Sequence, residues 1–270
     1  MQDYILPIAA LCRTTSAAIL RFYGQKEHLH VQEKSNHTLL TNADLTAHRL
    51  LSEGLPNILP LPVVSEESSH TLKTASLRDY WLIDPIDGTK EFIAQTGEFC
   101  ICIARIYQHH PIFGLIYAPT THQYWYAIAG EGAYTTNNQG ITKRLYCRRP
   151  NNQFTVITAK PQIHQNIRQY LHAIFPDDDY QHIACGSALK FCFIAEGKAD
   201  LYPKLAAKTC EWDTAAGDIL LHEAQGGLRY LGNTSLRYGI ADDPLNPPFL
   251  AFAHCSEERI QAWFEQISVR

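Results

Sequence analysis

Apolar residues recur at helical spacing near the start of the chain. This spacing predicts a first helix over residues 5–23 and, after a polar stretch, a second helix over residues 45–55 that ends at the helix breakers Gly54 and Pro56. Asp44 comes immediately before the second apolar run. We therefore expect its carboxylate at the start of a helix.

Two short apolar runs that follow are predicted to be strands, and each leads into an acidic residue. Residues 63–64 run into Glu66, and residues 80–83 run into Asp84. The proline that follows Asp84 disfavours helical backbone in the residue before it. Both strands are therefore expected to end in a carboxylate.

The pattern changes near the middle of the chain. Three β-rich runs joined by turn residues predict an antiparallel meander at residues 100–107, 112–118 and 124–129. Beyond residue 154, strands alternate with helices. The expected strands are 155–158, 182–185 and 200–202, and the expected helices are 162–175, 187–196 and 214–224.

This order of elements predicts a mixed α/β fold built from two lobes. We expect an N-terminal α+β lobe over residues 1–145 and a C-terminal α/β lobe over residues 146–270. The join is expected in the polar, Asn-rich segment 136–153, because domain boundaries favour exposed polar stretches.

Composition and charge exclude several classes of function. The chain has 270 residues, of which 46% are hydrophobic, so it can bury one large core or two modest ones. The net charge is −4 and the Lys and Arg residues are scattered, which does not fit a binder of a nucleic-acid polymer. No apolar stretch approaches the roughly 20 residues of a membrane span, and the start of the chain lacks a basic, signal-like region.

The eight cysteines form no CxxC pair, and most lie in apolar runs. They are expected to be small buried residues in a reducing cytosol rather than a disulfide framework. The protein is accordingly expected to be cytoplasmic. Contact with the cytoplasmic face of the inner membrane and a homodimeric state are both left open by the sequence.

The segment from Asp84 to Thr89, with the letters DPIDGT, is the most informative for chemistry. Its turn can direct the carboxylates of Asp84 and Asp87 and the carbonyl of Ile86 toward one point. Gly88 allows the backbone to adopt the tight turn that this requires. Oxygen donors of this kind suit Mg²⁺. The alternative is an Asx-turn with solvated aspartates.

Two further carboxylates are candidates for the same site. Glu66 follows a short strand, and Asp213 precedes a small-residue helix that runs to Ala224. A solvated Glu66 and a helix-capping Asp213 are the alternatives, although a capping aspartate can still offer one oxygen to a metal.

Four carboxylates cannot meet without cations. Bringing Glu66, Asp84, Asp87 and Asp213 within about 4 to 5 Å costs several kcal/mol of repulsion per pair at an effective dielectric constant near 20. Two Mg²⁺ ions would neutralise them and leave a site able to accept a phosphate group.

A phosphate also needs hydrogen-bond donors. The turn at Gly186 and Ser187 is predicted to open a helix, whose free N–H groups and dipole favour an anion. Lys190 lies one turn further on and could contact a second phosphate. The alternatives are an ordinary N-cap at Ser187 and a surface lysine at position 190.

The DPIDGT segment together with residues 212–217, with the letters WDTAAG, resembles the paired signature of the inositol monophosphatase superfamily. Glu66 matches the third acidic position of that family, and the resemblance covers essentially the whole chain. Several other segments resemble the bacterial 3′(2′),5′-bisphosphate nucleotidases of the CysQ group, namely 90–92, 97–99, 187–192, 195–197 and 201–203.

The resemblance implies a layered αβαβα fold and hydrolysis of adenosine 3′,5′-bisphosphate to AMP and phosphate, a step beside sulfate assimilation. It also implies two or three Mg²⁺ ions, sensitivity to lithium, and a small phosphorylated nucleotide as the binding partner. The implied metal ligands are Glu66, Asp84, the Ile86 carbonyl, Asp87 and Asp213. The residues implied to orient the attacking water are Asp44, Thr89 and Glu66. The implied substrate contacts are Asp87, Gly88, Thr89, Gly186, Ser187, Lys190 and Asp213.

Segment 204–210 departs from the family pattern. The family usually has a basic residue followed by a Gly-Pro-Thr run there, whereas this chain reads KLAAKTC, one residue longer. Two rival functions stay open at this point: hydrolysis of inositol phosphates or sugar bisphosphates on the same scaffold, because substrate choice resides in loops, and a catalytically silent phosphate-binding regulator.

Overall fold

The computed structural model describes residues 1–25, 29–33, 39–71, 74–149, 153–159, 162–177, 179–230, 234–241 and 243–268. Within these residues the α-helices are α1 (Gln2–Ile19), α2 (Asn42–Ile58), α3 (Thr89–Ala94), α4 (Gln165–Ile174), α5 (Leu189–Ala195), α6 (Glu211–Glu223) and α7 (Glu257–Ser268).

The strands of the first half are β1 (Val31–Glu33), β2 (Leu39–Thr41), β3 (Val63–Ser65), β4 (Asp79–Asp87), β5 (Cys100–Tyr107), β6 (His110–Ala118), β7 (Gln123–Ile128), β8 (Gly132–Thr136) and β9 (Thr142–Leu145). Those of the second half are β10 (Phe154–Thr158), β11 (Tyr180–Ala184), β12 (Leu201–Lys204), β13 (Gly227–Tyr230), β14 (Thr234–Ser235) and β15 (Phe249–Phe252).

Two large sheets organise the fold. The first has seven strands in chain order from β3 to β9, with β3 parallel to β4 and every other pair antiparallel. The second has six strands in the order β11-β10-β12-β15-β13-β14. The predicted antiparallel meander is confirmed, and β8 and β9 extend it. β1 and β2 form a separate antiparallel pair.

The layers alternate between helices and sheets. Neighbouring residues of β5 face opposite sides of the first sheet: Ile101 packs in a buried cluster with Leu51 of α2, and Cys102 packs in another with α5 and α6. The second sheet contributes Phe249 to that central cluster, and its outer face packs against α4 and α7. The predicted αβαβα layering is therefore confirmed.

Small residues allow α6 to approach the first sheet closely. A β-carbon at Gly114 of β6 would lie 2.7 Å from the Cγ2 of Ile219 and 2.8 Å from the carbonyl oxygen of Ala216 on α6. The glycine leaves room for the helix backbone. This packing brings the first turn of α6, with Asp213, next to the first sheet.

Several predicted boundaries are wrong. α1 ends at Ile19, and α2 continues through Gly54 and Pro56 to Ile58. Gly54 marks a tight contact between the helices rather than an end, because a β-carbon there would lie 2.6 Å from Leu11 of α1. β9 lies within the segment that was expected to join the lobes, so part of that segment belongs to the first sheet. The division into lobes at residues 145 and 146 stays a prediction.

Two further expectations concerned the state of the cysteines and the length of the apolar helices. All eight cysteines are free thiols, and six of them are buried. No helix in the described part of the chain is long and apolar enough to cross a membrane.

Candidate active site

Asp84 and Asp87 reach the same side of the first sheet because β4 is irregular between them. Asp84 pairs with Cys102 of β5 and Asp87 pairs with Cys100, so three residue steps on β4 match two on β5. In a regular strand, residues three apart would face opposite sides of the sheet. The Ile86 N–H donates to Asp84 Oδ1 at 2.9 Å, which stabilises the irregular stretch.

Three of the predicted metal ligands lie together. Glu66, Asp84 and Asp213 each place a carboxylate oxygen within 4.8 Å of the other two. They come from three elements: Glu66 follows β3, Asp84 lies on β4, and Asp213 lies in the first turn of α6. Asp213 is not the N-cap residue itself, because the N-cap is Cys210, whose N–H donates to Asp213 Oδ2 at 2.7 Å.

Burial and mutual repulsion raise the pKa values of these carboxyl groups. The pKa of Asp84 is well above its usual range, chiefly because the group is buried and also because three neighbouring carboxylates repel its charge. Burial likewise raises the pKa of Asp213, and the negative charges of Asp87 and Glu66 add to this effect. Burial raises the pKa of Asp87 to about 6, against the opposing charge of Lys190. The site therefore favours either protons or cations among its carboxylates.

The donor set fits a hard divalent cation. Every predicted ligand atom is an oxygen, and a cation would compensate both the burial and the mutual repulsion of charge that raise these pKa values. The Ile86 carbonyl, the predicted neutral ligand, lies 3.3 Å from the Thr89 hydroxyl, which shares its one proton between this oxygen and Asp44 Oδ1. Glu66, Asp84, Ile86, Asp87 and Asp213 therefore stay the predicted ligands of such a cation, and three of them share one cluster.

Thr89 and Asp44 meet beside these ligands. The Thr89 hydroxyl donates to Asp44 Oδ1 at 3.3 Å. The other oxygen of Asp44 accepts the N–H of Thr41 at 2.7 Å and its hydroxyl at 2.5 Å, in a capping box that starts α2. The predicted position of Asp44 at a helix start is confirmed. The cap leaves one oxygen of Asp44 facing Thr89.

The turn before α5 differs from the predicted phosphate site. α5 begins two residues after Ser187, which has a left-handed backbone with φ of 50°. The Gly186 N–H donates to Glu98 Oε2 at 2.9 Å, and the Ala188 N–H donates to Asp87 Oδ2. Carboxylates of the protein occupy these amides, so the prediction of free N–H groups is wrong for both, and Ser187 is not an N-cap.

Two glycines bring the DPIDGT turn and this second turn into contact. Gly88 has φ of 97°, and a β-carbon there would lie 3.2 Å from Ser187 Cβ. A β-carbon at Gly186 would lie 2.7 Å from the carbonyl oxygen of Glu98. The predicted substrate contacts Gly88, Gly186 and Ser187 therefore lie in one place, next to Asp87.

Lys190 is not the surface lysine that the sequence left as an alternative, because it is only 5% exposed. Its ammonium donates to the carbonyl of Ser187 and to that of Cys185, the latter at 3.4 Å. It also lies 5.1 Å from the ring centre of Tyr202. Its contact with a substrate phosphate stays a prediction.

Sequence reasoning did not assign a role to Lys204, which ends β12. Burial lowers its pKa, the charge of Lys190 adds to this effect, and Asp213 and Asp87 oppose it. Its ammonium therefore lies within the field of the carboxylate site. The available signal was its position, where the resembling family usually carries a basic residue. The thiols of Cys100 and Cys102 were also missed, because their pairing with β4 depends on strand register.

The sequence profile of the inositol monophosphatase family matches residues 1–250. A 3′(2′),5′-bisphosphate nucleotidase CysQ of Salmonella typhimurium is 34% identical over 244 residues, which are 90% of this chain and 96% of the relative. CysQ of Escherichia coli K12 shows the same identity and coverage.

Solved structures of related proteins are also similar to this chain. The crystal structure of CysQ from Bacteroides thetaiotaomicron, a bacterial member of the inositol monophosphatase family, superposes with a TM-score of 0.79 at 30% identity, covering 94% of this chain and 98% of that one. An inositol monophosphatase of Thermotoga maritima has a TM-score of 0.78 at 19% identity, with 99% of both chains covered, and this likeness shows the shared fold.

Proposed function

Because the chain belongs to the inositol monophosphatase family, we propose that it is a Mg²⁺-dependent phosphomonoesterase that hydrolyses adenosine 3′,5′-bisphosphate to AMP and phosphate. The observation that carries the proposal is the convergence of Glu66, Asp84 and Asp213 beside the Thr89–Asp44 hydrogen bond. The similarity to CysQ proteins supports a nucleotide bisphosphate as the substrate and a place beside sulfate assimilation.

We propose that two or three Mg²⁺ ions are held by the oxygen ligands described above. Bound Mg²⁺ supplies positive charge next to the phosphate oxygens and lowers the pKa of a water molecule. The chain contributes the geometry: Asp84 is fixed by the Ile86 N–H and Asp213 by the Cys210 N–H, so their carboxylates are oriented before a substrate arrives.

Thr89 and Asp44 would orient the attacking water. Because the Thr89 hydroxyl donates its proton to Asp44, its lone pairs can accept a hydrogen bond from water. Asp44 is 2% exposed and its second oxygen accepts a hydrogen bond from Thr41, so the Asp44 carboxylate is held in its orientation toward Thr89. Glu66 would be a second acceptor for the same water.

Two lysines would meet the second phosphate of the substrate. Lys190 would exchange one of its carbonyl partners for a phosphate oxygen, and Ser187 in the same turn would add a hydroxyl. Lys204 would supply a further positive charge from β12. This arrangement favours a doubly phosphorylated substrate over a single phosphate ester.

The test is phosphate release from a panel of esters with Mg²⁺: adenosine 3′,5′-bisphosphate, 3′-AMP, 5′-AMP, inositol 1-phosphate and fructose 1,6-bisphosphate. We expect the highest kcat/KM with the bisphosphate nucleotide, no turnover of 5′-AMP, and loss of activity with a chelator. Li⁺ is expected to inhibit and K⁺ is not, as the family resemblance implies. A preference for inositol 1-phosphate or fructose 1,6-bisphosphate would replace the nucleotide proposal, and no turnover of any ester would favour a regulator.

A further inference from the structure

A second group of metal-binding side chains lies beside the carboxylate site. Asp87, Cys100 and Cys102 place a carboxylate oxygen and two sulfur atoms within 4.8 Å of one another. The two sulfur atoms are 3.8 Å apart, and Cys100 Sγ lies 3.9 Å from Asp87 Oδ2. The Ser187 hydroxyl is 3.4 Å from Cys100 Sγ.

Strand geometry keeps this group together. Cys100 and Cys102 are two residues apart on β5, so their side chains face the same side of the sheet. The irregular pairing of β4 places Asp87 directly opposite Cys100. Both thiols are buried, whereas Asp87 is partly exposed, so an ion can reach the group from the side of Asp87.

The spacing fits tetrahedral coordination by a soft ion. Zn–S bonds of about 2.3 Å at tetrahedral angles place two sulfur atoms about 3.8 Å apart, which is the distance observed between these thiols. Thiolates select soft ions and do not suit Mg²⁺. Two thiolates and one carboxylate leave a fourth position for water or for the Ser187 hydroxyl.

We propose that Asp87, Cys100 and Cys102 form a binding site for Zn²⁺, and for Cd²⁺ as its spectroscopic substitute, which adjoins the all-oxygen site and shares Asp87 with it. Each thiol releases its proton to solvent when the ion binds, and no electron is transferred. The regulatory consequence rests on the proposed function: Zn²⁺ at this site withdraws the Asp87 carboxylate from the Mg²⁺ ligand set. Zn²⁺ therefore inhibits the phosphatase, and added Mg²⁺ relieves the inhibition.

The binding test does not depend on activity. Cd²⁺ is titrated into the metal-free full-length protein, and the ultraviolet charge-transfer absorption of cadmium thiolate bonds is recorded. We expect saturation at one Cd²⁺ per chain with the intensity of two thiolates. Cys100→Ser and Cys102→Ser should each reduce that intensity by about half and weaken binding by about tenfold or more. Cys12→Ser, an equally buried cysteine on α1, should leave both unchanged.

The inhibition test is run in parallel, with each variant compared with its own rate without Zn²⁺. Cys100→Ser should raise the Zn²⁺ concentration for half-inhibition by about tenfold or more, and Cys12→Ser should not. Absence of the thiolate absorption in the wild-type protein overturns the site even if both variants fail to fold. Undiminished absorption in both folded variants also overturns it. Thiolate absorption in a protein that hydrolyses none of the esters retains the site and overturns only the proposed function.

Discussion

At the scale of the residue, two aspartates of α6 provide a matched test of the metal assignment. Asp213 lies among the carboxylates, whereas Asp218, on the same helix, accepts the Tyr238 hydroxyl at 3.1 Å. Asp213→Asn removes a charge that holds cations next to the reacting phosphate, so we expect kcat to fall by at least about 10²-fold. Asp218→Asn should keep most of the activity. Phosphate release at saturating Mg²⁺ measures both, and an Asp213→Asn protein with more than half of wild-type activity would contradict the assignment.

Thr89 offers a test of water positioning. Thr89→Ala removes the hydroxyl that joins Asp44 to the site, so we expect a lower kcat with little change in KM. Thr89→Ser keeps the hydroxyl and should restore most of the rate. Steady-state kinetics of the two variants separate the roles, because an effect confined to KM would make Thr89 a phosphate ligand instead.

The acidic site residues could be predicted from short sequence motifs, but the hydrogen-bond partners of the site could not. The turn letters DPIDGT and the start of α6 identified the acidic residues by type and spacing alone. The Gly186 and Ala188 amides were expected to be free, yet Glu98 and Asp87 bind them. Such partners come from segments far away in the chain, so local pattern does not contain them.

At the scale of the element, the hydrophobic pattern predicted the meander and the position of Asp44 near the start of α2, although α2 begins three residues earlier than expected, at Asn42. It did not predict that β4 continues past Pro85 to Asp87, because the continuation depends on pairing with β5. That irregular pairing turns Asp84 and Asp87 to one side of the sheet. The decisive feature of the site is thus a property of two paired strands, which one strand's sequence does not reveal.

The start of α6 should make stability depend on pH through Glu211. Glu211 is 7% exposed, and burial raises its pKa to about 7. The unfolded chain releases this proton near pH 4.5, whereas the folded protein keeps it up to about pH 7. Glu211 therefore contributes full stability below pH 4.5, and this contribution is lost as the pH rises toward 7 and is gone above it.

Glu211→Gln should remove this contribution while keeping an oxygen acceptor for the Gly239 N–H. Between pH 4.5 and 7, the free energy of unfolding of the wild type should fall relative to the variant by about 1.4 kcal/mol per pH unit. Above pH 7 the difference should stay constant. Urea unfolding over this pH range measures it, and parallel curves for the two proteins would show that Glu211 titrates normally in the folded state.

At the scale of the whole molecule, the central helical layer joins the site to both sheets. α6 packs on β6 of the first sheet, and the buried cluster around it includes Phe249 of the second. Asp84 comes from the first sheet, Glu66 from the turn that follows β3, Asp213 from the central layer and Lys204 from the second sheet. The alternation of elements predicted a mixed α/β fold, and the family resemblance of the motif pair implied its layers, whereas the position of Lys204 depends on how the layers pack.

This packing leads to a prediction about which phosphate each lysine meets. If the carboxylates hold the 3′-phosphate, other cations must meet the 5′-phosphate, and Lys190 and Lys204 are the candidates because their charges influence each other. Lys204→Ala and Lys190→Ala should each lower kcat/KM for adenosine 3′,5′-bisphosphate by about tenfold or more, since a charge-assisted hydrogen bond contributes roughly 1.5 to 3 kcal/mol. Hydrolysis of 3′-AMP should change little.

Lys198→Ala is the matched control, because this exposed lysine pairs with Glu196, which is not one of the predicted site residues, and it should leave both activities unchanged. The ratio of kcat/KM for the two substrates measures the effect, and it cancels any general loss of active protein.

Lys204 is the more decisive of the two variants. Lys190 also holds the turn at Ser187 through backbone carbonyls, so its removal can disturb the fold, whereas Lys204 ends a strand and has no such bond among the described contacts. A fall in both activities of Lys204→Ala by the same factor would therefore place Lys204 at the scissile phosphate and reverse the proposed orientation of the nucleotide.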